Sequence, residues 1–148
     1  PADAYLALPG LRPMPLRMRQ HHPSRLAIAD WLAQQGEVIR VMHPARPQDP
    51  HHALWKNQFS GASGLFGFVI SETDRDRLAR LFDGLQFFGM GSSWGGFESL
   101  LVPTNPTVYR TATDWTPMGQ TIRIHVGLED PKDLIRDLRT GFDRLHDA

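Results

Sequence analysis

Apolar residues along the chain follow two rhythms, and each marks a different kind of element. Leu78, Leu81, Phe82 and Leu85 recur at the three- and four-residue spacing of a helix that turns one stripe toward a core. Thr73 stands where its N-cap belongs, with Asp74 and Asp76 in the first turn. Leu134, Ile135, Leu138, Phe142 and Leu145 repeat the helical rhythm near the C-terminus, opened by Asp130 as N-cap and Pro131 as first helical residue. Thr121 to Val126 alternates instead: Ile122, Ile124 and Val126 take one face of a strand, Arg123 and His125 the other. Leu65 to Ile70 is apolar almost throughout and predicts a buried strand. Val38 to Met42 predicts another, closed by His43-Pro44. Phe87-Phe88 and Glu98 to Val102 predict two more around a Gly/Ser-rich turn over 89–96.

Prolines and glycines punctuate the rest. Residues 2–9 read as a short helix ending at Pro9-Gly10, after which Pro13 and Pro15 interrupt. A longer helix is predicted from about Leu16 to Gln35, with Leu26, Ala29, Trp31, Leu32 and Ala33 on its apolar face and Gly36 as its stop. Pro23 inside it predicts a kink or a fresh start at Pro23-Ser24. Residues 44–50 and 61–64 read as loops, His52 to Gln58 as one or two helical turns, and 103–120 as mostly loop. The sum is an α+β domain of two layers, an antiparallel or mixed sheet with helices on one side.

Composition narrows the function classes. With 148 residues the chain makes one domain, and 41% hydrophobic content suits a globule rather than a disordered segment. Lys+Arg and Asp+Glu both total 16, so nothing predicts a nucleic-acid or anionic-membrane partner. No apolar run reaches the roughly 18 residues of a membrane span, and no secretory signal opens the chain, which is compatible with a cytoplasmic location. Cysteine is absent, which excludes disulfides, thiolate metal sites and thiol catalysis.

Other residues have plain readings. His21-His22 and His51-His52 are adjacent pairs whose side chains diverge, and His43 stands alone, so no metal site is predicted. Gly89-Met90-Gly91 lacks the further glycine and helix start of a dinucleotide loop. Trp55 reads as core, and Arg75, Arg77 and Arg80 as a solvated helix face. By pattern alone Arg123 is a surface charge on the exposed side of a strand, and His125 a structural neighbour.

Three stretches carry a resemblance. They are His51-His52-Ala53-Leu54-Trp55-Lys56 running into Phe59-Ser60-Gly61-Ala62-Ser63-Gly64-Leu65-Phe66; Phe87 to Leu100 around Ser92-Ser93-Trp94-Gly95-Gly96; and Ile122-Arg123-Ile124-His125-Val126-Gly127-Leu128-Glu129-Asp130. In this order they resemble the C-terminal domain of the Cys/Met-metabolism enzymes that use pyridoxal 5′-phosphate (PLP). Ser-Trp-Gly-Gly and Arg-x-His-x-Gly-Leu-Glu-Asp are similar to the bacterial cystathionine β-lyase branch. The γ-synthase and γ-lyase branches usually carry Leu where Trp94 stands.

The resemblance implies the small, closing domain of an aspartate-aminotransferase-type fold, over 1–148, with 1–15 left from the inter-domain segment. It implies that Arg123 binds the α-carboxylate of a small amino-acid substrate, that Ser93 assists through its N–H or hydroxyl, and that Trp94 walls the pocket. Gly95 and Gly96 would permit a close backbone approach. The parent reaction would be β-elimination of L-cystathionine to homocysteine, pyruvate and ammonia, with a γ-lyase, a cysteine-conjugate lyase or a stand-alone binding module as alternatives. The family's Schiff-base lysine and PLP domain lie upstream of the matching segment, and neither Lys56 nor Lys132 has that setting. The chain alone is therefore expected to bind no PLP, to hold no catalytic residue and to show no lyase activity, while the family assembles as a tetramer of paired dimers. Ser92 departs from the Tyr common in relatives, Pro9 and Pro13 replace Arg and Thr, and Pro23 enters a helix normally free of proline.

Overall fold

In the computed structural model, which describes residues 2–116 and 118–146, the strongest periodic segments become the centre of the domain. In chain order the elements are α1 (Ala2–Leu11), α2 (Met14–Leu32), β1 (Val38–Met42), α3 (His52–Gln58), β2 (Leu65–Ile70), α4 (Arg75–Asp83), β3 (Leu100–Thr104), a 3₁₀ turn at Pro106–Val108, β4 (Gln120–His125) and α5 (Pro131–Asp143). The strands form one antiparallel sheet in the order β1-β2-β4-β3. The alternating strand β4 is internal, pairing with β2 from Leu65↔His125 to Ile70↔Gln120 and with β3 from Leu100↔His125 to Thr104↔Thr121. This is the α+β architecture that the hydrophobic rhythm predicts.

Register sorts the side chains onto two faces. Phe66, Phe68 and Ile70 of β2, Ile122 and Ile124 of β4, and Leu101 of β3 face the helices. There they meet Ile28, Ala29 and Leu32 of α2, Leu78, Leu81 and Phe82 of α4, and Leu134, Leu138 and Phe142 of α5. Each large side chain removed from water contributes about 1.5–3 kcal/mol, so this layer carries most of the stability. Trp31 stacks on Phe142 at 5.9 Å, and the Arg139 guanidinium lies over both rings while pairing with Glu37 at 2.7 Å. Arg123, His125 and Thr121 lie on the opposite face, beside Gly67 and Val102.

Several local expectations are corrected. Helix α1 runs through Pro9, and α2 begins at Met14 with Pro15 in its first turn, where a missing N–H costs nothing. Pro23 neither ends nor restarts α2, because Pro23 and Arg19 are exposed and water can serve the carbonyl that loses its partner. Helix α2 stops at Leu32, ahead of Gly36. Asp74, not Thr73, caps α4, accepting from the N–H groups of Asp76 and Arg77. Phe87-Phe88 is not a strand: the Asp137 carboxylate takes the N–H groups of Gln86, Phe87 and Phe88, leaving none for a ladder. Only a single parallel bridge, Gly89 to Leu100, joins that segment to β3. Strand β3 also starts later than predicted and continues through Pro103, which an edge strand tolerates. Trp55 lies outside the core, half-buried and stacked on His52 at 5.5 Å.

Candidate functional site

Strand β4 displays one cation at the middle of the open face. Arg123 sits opposite Gly67 on β2 and Val102 on β3, half-buried, and makes no hydrogen bond or ion pair with another described residue. The space a Cβ would take at Gly67 is filled by the Met42 methyl. Two residues away in either direction the face is covered. Trp115 donates its indole N–H to the Thr121 hydroxyl at 3.2 Å, and Gly95 donates its backbone N–H to His125 Nε2 at 3.1 Å. Arg123 therefore occupies a gap between two covering segments, its donors free for an external acceptor. A planar guanidinium so placed matches a carboxylate with two parallel charge-assisted hydrogen bonds.

The segment that covers His125 is the loop carrying Ser93 and Trp94. Both are exposed, Trp94 by 61%, as are Phe97 and Met90 on the same loop. An exposed loop of this length needs anchors, and it has them at each end. On its N-terminal side, Asp137 of α5, only 7% exposed, holds Gln86, Phe87 and Phe88 by their N–H groups at 2.8–3.2 Å. On its C-terminal side, Glu129 accepts from the Ser99 N–H at 2.9 Å and hydroxyl at 2.7 Å, while Ser99 Oγ accepts from Gly127 N–H. Gly127 is required there, because a Cβ would strike the Phe97 carbonyl. In the middle, Arg17 donates to the Gly95 carbonyl at 2.8 Å and His21 to the Gly96 carbonyl at 3.1 Å.

Gly95 has φ +84°, the left-handed region that a side chain resists. Within this chain a Cβ at Gly95 or Gly96 would meet open space, so among the contacts of the chain itself it is the positive φ that calls for glycine at 95. His125 is 2% exposed, and its Nε2 lies between the Gly95 N–H at 3.1 Å and the Gly96 carbonyl at 3.4 Å. Burial, foremost, pushes its pKa below the ordinary imidazole value, and Arg123 adds to the shift. His21 is lowered too, first by burial and then by the adjacent His125 ring. Among the described residues no group of three or more His, Asp or Glu side chains converges on a metal position. No helix among the described residues is long and apolar enough to cross a membrane.

A cavity of about 490 Å³ opens near the β1 edge, lined by Ile39, Arg40, Val69, Arg110, Trp115 and neighbours, but it does not reach Arg123, Ser93 or Trp94. Ser93 and Trp94 are exposed on the loop, and Arg123 is half-buried on β4.

Compared with known proteins, residues 1–143 match the family model of the Cys/Met metabolism PLP-dependent enzymes. The chain belongs to this family. Escherichia coli cystathionine beta-lyase MetC is 44% identical over 146 residues, covering 96% of this chain and 37% of the relative. An L-alanine/L-glutamate racemase of Wolbachia pipientis is 40% identical over 145 residues, covering 97% of this chain and 36% of the relative. The crystal structure of cystathionine gamma synthase from Xanthomonas oryzae pv. oryzae, in complex with aminoacrylate and cysteine, superimposes with a TM-score of 0.81 at 31% identity, covering 97% of this chain and 38% of that one. The chain thus spans little more than a third of these relatives.

Within this PLP-family domain, the residues that brace the loop escape sequence reasoning almost entirely. Asp137 alone left a signal, since it falls three residues after Leu134 and four before Gly141, on the core-facing stripe where a carboxylate is out of place. Glu129, Ser99, Arg17 and His21 become partners only through contacts spanning 28 residues or more.

Proposed function

We propose that this chain is the substrate-closing domain of a PLP-dependent carbon–sulfur lyase that cleaves L-cystathionine by β-elimination. The observation that carries the reading is the guanidinium of Arg123, central on the open face and unpartnered among the described residues. It would grip the amino-acid α-carboxylate. The neighbouring loop would add Ser93 as a second donor and Trp94 as an apolar wall against the substrate side chain. Fixing the carboxylate holds the Cα–H bond in one orientation, and orientation of this kind is worth several kcal/mol of barrier. The Ser-Trp-Gly-Gly and Arg-x-His-x-Gly-Leu-Glu-Asp signatures favour the β-lyase branch over γ-elimination.

PLP, the family's cofactor, supplies an electron sink for loss of the α-proton. The described residues do not suit its attachment. Lys56 on α3 and Lys132 in the first turn of α5 are both exposed, whereas a Schiff-base lysine works from a desolvated setting. On this reading the chain contributes carboxylate recognition and a pocket wall, and a PLP-holding domain of the same protein contributes the chemistry. Incubating the chain with PLP should then give no stoichiometric visible band reducible by borohydride; such a band would overturn this division of labour. In the longer protein, Arg123→Leu should lower kcat/KM for L-cystathionine by about two to three orders of magnitude, the scale for removing one partner of a hydrogen-bonded charge pair. Release of 2-oxobutyrate instead of pyruvate would move the reading to a γ-lyase.

A further inference from the structure

The middle of the Ser93–Trp94 loop is held by a set of contacts with a protonation requirement. Gly95 can donate to His125 Nε2 only while that nitrogen is unprotonated, so the His125 hydrogen belongs on Nδ1. His21 donates from Nε2 to the Gly96 carbonyl, which leaves its Nδ1 as a buried lone pair without a partner among the described residues. The two rings meet edge to face at 5.1 Å. Arg17 closes the set on the Gly95 carbonyl. Helix α2, strand β4 and the loop thus converge on two adjacent residues, Gly95 and Gly96, just past Ser93 and Trp94.

We propose that His125 and His21 are positioning residues: with Arg17 they latch Gly95 and Gly96, and so hold Ser93 and Trp94 over the face that displays Arg123, and the Gly95 contact of the latch closes only while His125 Nε2 is unprotonated. The assignment rests on reading Arg123, Ser93 and Trp94 as the substrate contacts. Protonating His125 would aim an N–H at the Gly95 N–H, ending that contact and leaving Nε2 only the Gly96 carbonyl at 3.4 Å. Protonating His21 would place a second cation against it. The charged groups around the pair are Arg17 and Arg25 of α2 and Arg123 of β4, opposed by Glu98 of the loop and Glu129 beyond β4. Three guanidiniums and burial favour the neutral rings, so the latch is closed at neutral pH. It opens as pH falls below the usual imidazole range, since a depressed pKa means that the contribution is lost on the acid side.

The test reads the loop on the ¹⁵N-labelled 148-residue chain and the substrate contact, separately, in the longer protein. The Gly95 amide should lose about tenfold or more of its hydrogen-exchange protection factor between about pH 7.5 and pH 5, the scale of one hydrogen bond, while Ile124 in the β4 ladder holds. His125→Gln, which offers an acceptor that does not protonate, should keep Gly95 protected at both pH values. His125→Phe should leave it unprotected at both, and should weaken L-cystathionine binding about tenfold. Wild-type Gly95 protection that is flat with pH would overturn the latch. So would His125→Phe retaining both protection and binding. If His125→Phe also loses protection at Ile124, it has unfolded, and the wild-type pH comparison with His125→Gln decides. Arg123→Met isolates the underlying reading: L-cystathionine binding that survives this change removes the substrate role, whatever Gly95 does.

Discussion

The two faces of one sheet divide the labour of this domain. The helix-covered face is held by apolar contacts that have no direction and tolerate no water. The open face is held by hydrogen bonds from single side chains to backbone groups: Asp137 to three consecutive amides, Glu129 to Ser99, His125 and His21 to adjacent glycines. Burial of apolar area scales with size and stabilises regardless of geometry, whereas these polar braces fix position at modest net stability. The contrast explains how an exposed loop keeps one shape.

Substitutions on the two faces should therefore separate stability from recognition. Phe142→Ala strikes the covered face hardest, removing a fully buried ring and its stack on Trp31; urea unfolding should register a loss of about 3–5 kcal/mol. Retention of wild-type stability would mean that α5 is not seated as described. Next comes acid sensitivity. Burial, foremost, holds His43 down to about 4, so the unfolded chain binds its proton first as pH falls. Stability should then drop by roughly 2–4 kcal/mol from about pH 6.5 to pH 4, and His43→Gln should flatten that limb of the pH–stability curve.

Asp137→Ala tests the link between the faces, because a helix of the covered layer holds the loop of the open one. Three backbone donors lose their acceptor, at a cost of about 2–3 kcal/mol, and Asp137→Asn should restore part of it. Glu129→Gln keeps an acceptor for Ser99 but loses the charge, and should cost about 1 kcal/mol. Arg123→Met belongs at the bottom of the scale. With no partner among the described residues it should change stability by less than about 0.5 kcal/mol while abolishing carboxylate binding. A large destabilisation there would make Arg123 a structural residue and erase the contrast.

Legibility in the sequence tracks the same division. The helices over Leu78–Phe82 and Leu134–Phe142, and the alternation from Ile122 to Val126, were readable because burial on one face imposes a period on the chain. The Phe87-Phe88 segment misled because two aromatic residues resemble a strand, whereas its amides answer to a carboxylate some 50 residues away. Trp55 misled because aromatic character does not specify which side of a short helix meets the core. Arg123 was visible as a position, yet pattern alone could not separate a solvated charge from a ligand-binding one.

By itself, the amino-acid order determined which segments are helices and strands, which face of each is apolar, and membership of a PLP-enzyme family through ordered motifs. Those properties are local, or are copied motif by motif. Tertiary structure alone decided that Arg123 stands in a gap between two covered residues, and that Arg17, His21, Glu129 and Asp137 converge on one loop. The reason is physical: a hydrogen bond fixes its two ends within about 3 Å wherever they lie in the chain, and leaves no period along the sequence for a reader to find.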